Sequence, residues 1–262
     1  MTGLIYVFCA AMTQTATIDT LPVTGRVVAA DIDMKGNVYV VDSAYTFCKI
    51  SPQKTSICNS VAQYGEGAIL DADNPVEPML FFQNSGMLLI TDNNLNTTAA
   101  ISLLSQNNIK PGGFGRSNDG MVWLFDDNSS TLKKTDRSGV VIQESMVLCA
   151  KGNKTRKAAP ILDNGRLVAI TTPQNTTLIL NINLNILAEL PAKEGVCVDL
   201  VNDRLVLMNE DGLSMTESFK GQGKRQPRAR QQMKNNTPGK LLSVRGSHLL
   251  IEITSGLILH TH

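Results

Sequence analysis

One short pattern recurs along the whole chain: a turn residue, a small or polar residue, then an apolar strand. Gly36 opens GNVYVVD, Gly86 opens GMLLITD and Gly120 opens GMVWLFD; Gly165 opens GRLVAIT, Asp203 opens DRLVLMN and Ser247 opens SHLLIEI. The six starts lie 50, 34, 45, 38 and 44 residues apart. A period of this size is the signature of a propeller, a solenoid or an array. Short β-rich segments separated by turns select the propeller.

Each copy sits inside a longer unit. An apolar strand precedes it: RVVAADI, PMLFFQN, GGFGRS, AAPILD, VCVDLV and GKLLSV in turn. A more polar strand follows it, as in FCKISP, NTTAAISLL, TLKKTD, TTLILNI, LSMTESF and LILHTH, and several units add a fourth, such as SICNSV, VVIQES and ILAELP. Four strands joined by tight turns make an antiparallel blade. Strands packed against neighbouring blades on both faces read as near-continuous apolar runs rather than clean alternation. The last unit supplies only three strands, while Thr15–Leu21 near the N-terminus is a strand without a blade. Pairing the two removes a free edge. The expected fold is therefore all-β: a six-bladed β-propeller of four-stranded antiparallel blades, closed by the N-terminal strand.

Composition agrees and narrows the function. At 42% hydrophobic and 18% charged, 262 residues are enough for one large domain. A net charge of +1 gives no global bias toward nucleic acid or membrane, and 5% aromatics advertises no stacking platform. Leu4–Met12 is an apolar run ending in small residues, too short to span a bilayer. It resembles the core and cleavage zone of a secretory signal, although no Lys or Arg precedes Arg26. The expected organisation is a signal-peptide remnant over 1–14 and a single propeller domain over 15–262. Removing that remnant with Cys9 leaves Cys48, Cys58, Cys149 and Cys197, an even number that suits export. A hairpin turning near Gln53 would set Cys48 opposite Cys58 for a disulfide; as free thiols they would serve as small core residues. No Cys/His spacing fits zinc.

The segment DIDMKGNVYVVDSAYTFCKIS resembles an NHL-type repeat, with Asp33, Gly36, Asn37, Tyr39, Val40 and Asp42 at the signature positions. SNDGMVWLFDDNSSTLKKTD resembles it less fully, and the other units keep the apolar pattern without the signature. The resemblance implies a propeller and says little about activity. NPVEPMLFFQNSGMLLITDNNLN and the Asn-rich style are also similar to uncharacterised exported six-bladed propellers of Bacteroidota.

Asp31, Asp33 and Asn37 have the look of half a calcium loop, but Lys35 stands where a third oxygen ligand is needed. The stretch reads as a β-turn, with Gly36 at positive φ and Asp33 capping it. The Asn-rich turns NNLNTT, DDNSS and PQNTT are expected to use Asn in the left-handed region. The three histidines, His248, His260 and His262, all fall in the last unit, and no third ligand joins His260 and His262 on their strand face. Without an internal His beside a nucleophile, Ser-His-Asp and Cys-His chemistry lack a base. Asp31, Asp163 and Asp199 lie on first strands, where they would point into a propeller channel and could hold a metal there, or bind water and backbone amides. No metal site, catalytic residue or cofactor is assigned, and the weight of the residues leans against an enzyme.

Lys220–Lys240 is the compositional outlier, with seven bases and no acid. The rest of the chain keeps 17 bases against 23 acids, net −6. Read as a flexible basic loop at 220–240 between the fifth and sixth blades, it offers Lys224, Arg225, Arg228, Arg230 and Lys234 for docking an anionic partner. A solvated loop that aids solubility is the plainer reading. With export, an acidic or membrane-associated protein is the expected partner rather than nucleic acid. The chain is then read as a non-enzymatic protein-interaction or scaffold module of an exported bacterial assembly, one copy per complex, in the periplasm or at the outer-membrane periphery. The other readings are a propeller hydrolase or lyase with a channel metal, and a carbohydrate binder, which the single Trp123 and few tyrosines disfavour.

Overall fold

The computed structural model describes residues 17–21, 23, 25–150, 159–174, 176–190, 196–201, 204–209, 212–216, 229–234, 240–245, 248–253 and 256–261. They form a six-bladed β-propeller fold, six sheets of four antiparallel strands taken largely in chain order. Sheet I is Val27–Ile32, Val38–Asp42, Thr46–Ile50 and Ser56–Ser60. Sheet II is Ala68–Asp71, Met79–Phe82, Met87–Thr91 and Thr97–Ser102. Sheet III is Pro111–Arg116, Val122–Asp126, Thr131–Thr135 and Val141–Glu144, with Ala159–Pro160 added in parallel beside its first strand. Sheet IV is Leu162–Asp163, Leu167–Thr171, Thr177–Asn181 and Ile186–Leu190. Sheet V is Val196–Val201, Arg204–Asn209, Gly212–Thr216 and Ala229–Lys234. Sheet VI is Lys240–Arg245, His248–Ile253 and Gly256–Thr261, completed by Thr17–Leu21 from the other end of the chain. The chain divides into two compact units, Met1–Ala100 with Asn235–His262, and Ile101–Lys234.

Strand periodicity explains why the second strands are apolar throughout. In sheet I, Tyr39 and Val41 join a cluster with Leu80, Phe82 and Leu89 of sheet II. The alternate residues, Val38 and Val40, pack with Ile32, Ile50 and Leu21. Sheet IV repeats the arrangement: Val168 and Ile170 meet Trp123 and Phe125 of sheet III, whereas Leu167 and Ala169 meet Leu205 and Leu207 of sheet V. A strand buried on both faces needs an apolar residue at every position. Each large side chain so buried contributes about 1.5–3 kcal/mol.

The sequence frame fails in the second blade. PMLFFQN is its second strand rather than its first, GMLLITD its third, and Thr97–Ser102 its fourth; the first is Ala68–Asp71. Second and third strands there are both fully apolar, so a strand-by-strand pattern cannot tell them apart. Counted from the true second strands, which begin at Val38, Met79, Val122, Leu167, Arg204 and His248, the intervals become 41, 43, 45, 37 and 44 residues. The uneven 50 and 34 were the trace of the slip.

Turn chemistry holds the strands in register. Asp33 is fully buried, and its Oδ1 accepts the Lys35 and Asn37 amides at 2.8 and 2.9 Å while Gly36 takes φ of 78°. Asp42 caps the Ala44 and Thr46 amides, Asp92 those of Asn94 and Asn96, and Asn181 those of Asn183 and Asn185. In NNLNTT and DDNSS the left-handed residue is not Asn, as expected, but Leu95 and Ser130, at φ of 65 and 57°, while Asn175 of PQNTT lies outside the described residues; Tyr45 and Leu184 take the same role in the Asp42 and Asn181 turns, at φ of 57 and 63°. Leu95 and Leu184 are buried, so core packing offsets a backbone conformation costing roughly 1–2 kcal/mol. Asn and Asp serve as acceptors instead. Gly115 answers to close packing, because a Cβ there would overlap the backbone carbonyl of Ile161.

Candidate interaction surface

The first-strand carboxylates serve the backbone. Asp31 is buried; its Oδ1 accepts the Ile32 amide at 2.9 Å and its Oδ2 the Ala72 amide at 2.8 Å, tying sheet I to the chain just after the first strand of sheet II. Asp163 does more. Its Oδ2 accepts from Trp123 Nε1 at 2.7 Å, Ser117 Oγ at 2.9 Å and the Asn118 amide at 3.1 Å, and its Oδ1 accepts the Gly165 amide at 2.7 Å. One carboxylate of sheet IV thus gathers four donors, three of them from sheet III. Asp199 Oδ1 accepts the following amide, Leu200, at 2.8 Å, the same relation that Asp31 has to Ile32. Among the described residues no three His, Cys, Asp or Glu side chains converge as metal ligands.

Sheets I and III share a side-chain device. In sheet I, Tyr39 is fully buried, donates to Asp33 Oδ2 at 3.2 Å, and lies 5.6 Å beneath the ammonium of its cross-strand neighbour Lys49. Burial, then the charge and hydrogen bond of Asp33, push its hydroxyl far above the ordinary 10.0. In sheet III, Trp123 takes the place of Tyr39, and the cross-strand Lys134 lies 5.1 Å from its ring and pairs with Asp119 at 2.5 Å. Burial opposes ionisation of Asp119, but hydrogen bonds from Lys134 and the Met121 amide outweigh it, with the Ser117 hydroxyl also within reach, and its carboxyl titrates below 3.8. A cation over an aromatic face contributes about 0.5–1 kcal/mol at exposed sites. These groups hold the turns to the strands of their own sheets.

The outer edge of sheet III is different in kind. Its fourth strand, Val141–Glu144, pairs with Thr131–Thr135, and pairing continues raggedly beyond it: the Ser145 amide donates to Leu132 O and the Leu148 amide to Ser130 O, both at 2.9 Å. Ser145 Oγ accepts the Leu132 amide at 2.9 Å and donates to Met146 O at 2.7 Å. Ser145 and Leu148 are buried, and the two residues between them bulge outward. Met146 is 73% exposed and Val147 65%, with Val140 and Ile142 at 56% and 52% on the same edge. Gln143 Nε2 reaches Ile182 O at 3.3 Å, which brings in the exposed Ile182 of sheet IV. Beneath this row, Lys133 pairs with Asp126 at 3.3 Å and Glu144 at 3.1 Å, and Thr131 Oγ1 donates to Glu144 at 2.8 Å. A rigid polar base carrying extruded apolar side chains is suited to contact with another macromolecule. Sequence reasoning missed it, because VVIQESMVL reads as an ordinary outer strand whether its apolar residues face core or solvent.

Of the basic residues singled out in the sequence, Lys224, Arg225 and Arg228 lie outside the described residues. Arg230 and Lys234 do not sit in a loop between blades. They belong to Ala229–Lys234, the fourth strand of sheet V, paired antiparallel with Gly212–Thr216. Polar composition concealed the strand, since an outer strand paired on one side needs no apolar alternation. Cys48 and Cys58 stand opposite each other in register on the outer hairpin of sheet I and form a disulfide. His248 and His260 lie on neighbouring strands of sheet VI, His260 pairing with Leu249 and Ile18; His262 is outside the described residues. No helix of the described residues is long and apolar enough to cross a membrane.

No family model matches the chain, and no curated protein matches it. Solved structures do. The chain is similar to virginiamycin B lyase from Staphylococcus aureus with quinupristin, at TM-score 0.65 and 11% identity over 95% of this chain and 100% of that one. It is similar to YCF48 bound to D1 peptide, at TM-score 0.51 and 10% identity over 96% of both chains. It is also similar to a protein of unknown function from Bacteroides caccae, at TM-score 0.50 and 11% identity over 77% of this chain and 81% of that one. At these identities the likeness speaks for the fold alone, and the fold is the β-propeller.

Proposed function

We propose that this chain is an exported, NHL-like propeller, akin to those of Bacteroidota, that acts by binding a protein partner rather than by catalysis. Residues 1–14 are the remnant of an export signal, 15–262 are one propeller domain, and the protein works in the periplasm or at the outer-membrane periphery as one copy within a larger assembly. The observation that carries the reading is the apolar row Val140, Ile142, Met146 and Val147, held in solvent on the outer edge of sheet III. A bulge fixed by buried Ser145 keeps two of these side chains exposed, where folding alone would favour covering them. The Cys48–Cys58 disulfide suits an oxidising compartment. YCF48, one of the structural neighbours, is described with a bound peptide. The basic residues Arg230 and Lys234, with Lys224, Arg225 and Arg228 in sequence before them, are an accessory contact for an acidic or membrane-associated partner. A hydrolase or lyase with a channel metal would require Asp31 and Asp163 to give up the amide, hydroxyl and indole donors they now accept.

The test is cross-linking and co-purification of the tagged full chain from native envelopes, beside the M146E/V147E double variant. The reading expects a defined partner retained by the native protein and lost by the variant, with the melting temperature unchanged. Identical partner sets would sink it.

A further inference from the structure

Of the four side chains in the exposed row on sheet III, one carries an atom that peroxides attack. Val140, Ile142 and Val147 are saturated hydrocarbon, whereas Met146 presents a thioether and is the most exposed of the four. We propose that Met146 is a reversible oxidation site, and that its conversion to methionine sulfoxide by a small peroxide releases the protein partner from this edge. The proposal rests on the binding role given above to the same row, and it names the regulation of that contact.

The chemistry needs only the sulfur and the oxidant. A sulfur lone pair attacks one oxygen of hydrogen peroxide, the O–O bond breaks, and the departing hydroxide takes the remaining proton and leaves as water. The sulfide is oxidised to the sulfoxide and the peroxide is reduced to water. Attack requires approach to the sulfur, so exposure sets the order in which methionines react. Of the five whose exposure is described, Met34 and Met146 are exposed, Met87 and Met121 are half-buried and Met79 is buried. Met34 lies in the first turn of sheet I, outside the row, and serves as an internal control.

The backbone confines the effect to the complex. Ser145 Oγ accepts the Leu132 amide and donates to Met146 O, and Ser145 and Leu148, which bracket the bulge, are buried. The Met146 side chain therefore projects from a fixed frame and adds nothing to the core. In the free protein the sulfoxide oxygen meets water, and folding is unaffected. Against an apolar partner face the same oxygen is a buried acceptor without a donor, which weakens the contact by about ten- to hundredfold. A bound partner, in turn, shields the sulfur from peroxide.

The experiment treats the tagged full chain with limiting hydrogen peroxide, quenches with catalase, and only then adds native envelopes. Peptide mass spectrometry follows the gain of one oxygen at each methionine. Met146 and Met34 should gain oxygen ahead of Met87, Met121 and Met79, with the melting temperature unchanged at that dose. Capture of the partner that M146E/V147E loses should fall in step with the oxidised fraction of Met146. The two stereospecific methionine sulfoxide reductases, with their dithiol reductant, should restore capture where the reductant alone does not. M146L and M34L are each compared with themselves before and after peroxide: M146L should lose the sensitivity and M34L should keep it. Oxidation of Met146 no faster than of Met79 would remove the site. Full oxidation of Met146 with capture retained, or sensitivity that persists in M146L, would overturn the switch and leave the sheet III interface standing. No partner captured by the untreated chain, or the same partners captured by M146E/V147E, would overturn the interface and the switch with it.

Discussion

Replacing Asp163 by Ala removes the acceptor for four donors at once. Asn118 is at the surface and its amide can turn to water, and the Ser117 hydroxyl can turn to Asp119, but Trp123 is 1% exposed, so its Nε1 is left without a partner. A stranded buried donor costs about 1–3 kcal/mol and the exchanged Ser117 bond about 1 kcal/mol more, which makes the expected loss about 3 kcal/mol, a large fraction of the roughly 5–15 kcal/mol that holds a typical domain. With an m-value of about 3 kcal/mol/M, the urea midpoint should fall by about 1 M. The assay is intrinsic fluorescence, which reports this site because Trp123 is the single tryptophan of the chain. Asp163→Asn keeps one oxygen and should lose only about 1–2 kcal/mol. A double-mutant cycle with Ser117→Ala should show a coupling of at least about 0.5 kcal/mol, because the two groups share a hydrogen bond of 2.9 Å. A midpoint shift below about 0.2 M, or no coupling, would refute the view that this carboxylate joins blades. It would return Asp163 to the pool of candidate channel ligands, whose removal need not destabilise metal-free protein.

Leu95→Asn should destabilise by about 2–3 kcal/mol in chemical denaturation despite Asn's ease at positive φ, since the buried leucyl side chain is lost; a neutral or stabilising result would show that backbone strain dominates that turn. Tyr39 should stay un-ionised while the fold lasts: its stabilising contribution is complete below pH 10.0 and declines as pH rises above it, so ultraviolet titration should show one of the four tyrosines ionising only with alkaline unfolding. The carboxyls of Asp92 and Asp136 are held below 3.8 by the Asn96 side chain and the Ser138 hydroxyl respectively, each helped by turn amides, and Asp119 is held there by Lys134 against its burial; their contributions are present above pH 3.8 and should fade below it, visible as a falling melting temperature that D92N and D136N flatten. Cys48→Ser with Cys58→Ser should cost up to about 2–3 kcal/mol, the loop-closure value for so short a separation, with less if the hairpin persists when unfolded; mass spectrometry under alkylation confirms the bond in the parent protein.

Most of the architecture is legible in the residues. The recurrence of Gly36, Gly120 and Gly165 before apolar strands gives the repeat, and the orphan strand ending at Leu21 points to its partner in the last blade, found as Thr17–Leu21 against Gly256–Thr261. Asp33 and Lys35 were enough to choose a turn over a calcium loop. The second blade was misframed because Met79–Phe82 and Met87–Thr91 are equally apolar, and the outer strand of sheet V was hidden because Arg230, Gln231, Gln232 and Lys234 carry no alternation.

The chain by itself determines the fold class, because the pattern of turns and doubly apolar strands is local and repeats. Only the tertiary structure decided what the polar residues do. Whether Asp163 faces a channel or a tryptophan 40 positions earlier depends on how sheet IV packs on sheet III. Whether Met146 and Val147 are core or surface depends on a bulge that Ser145 makes with Leu132, across 13 positions of chain. Hydrogen bonds and exposure are set by neighbours distant in sequence, and no local pattern records them.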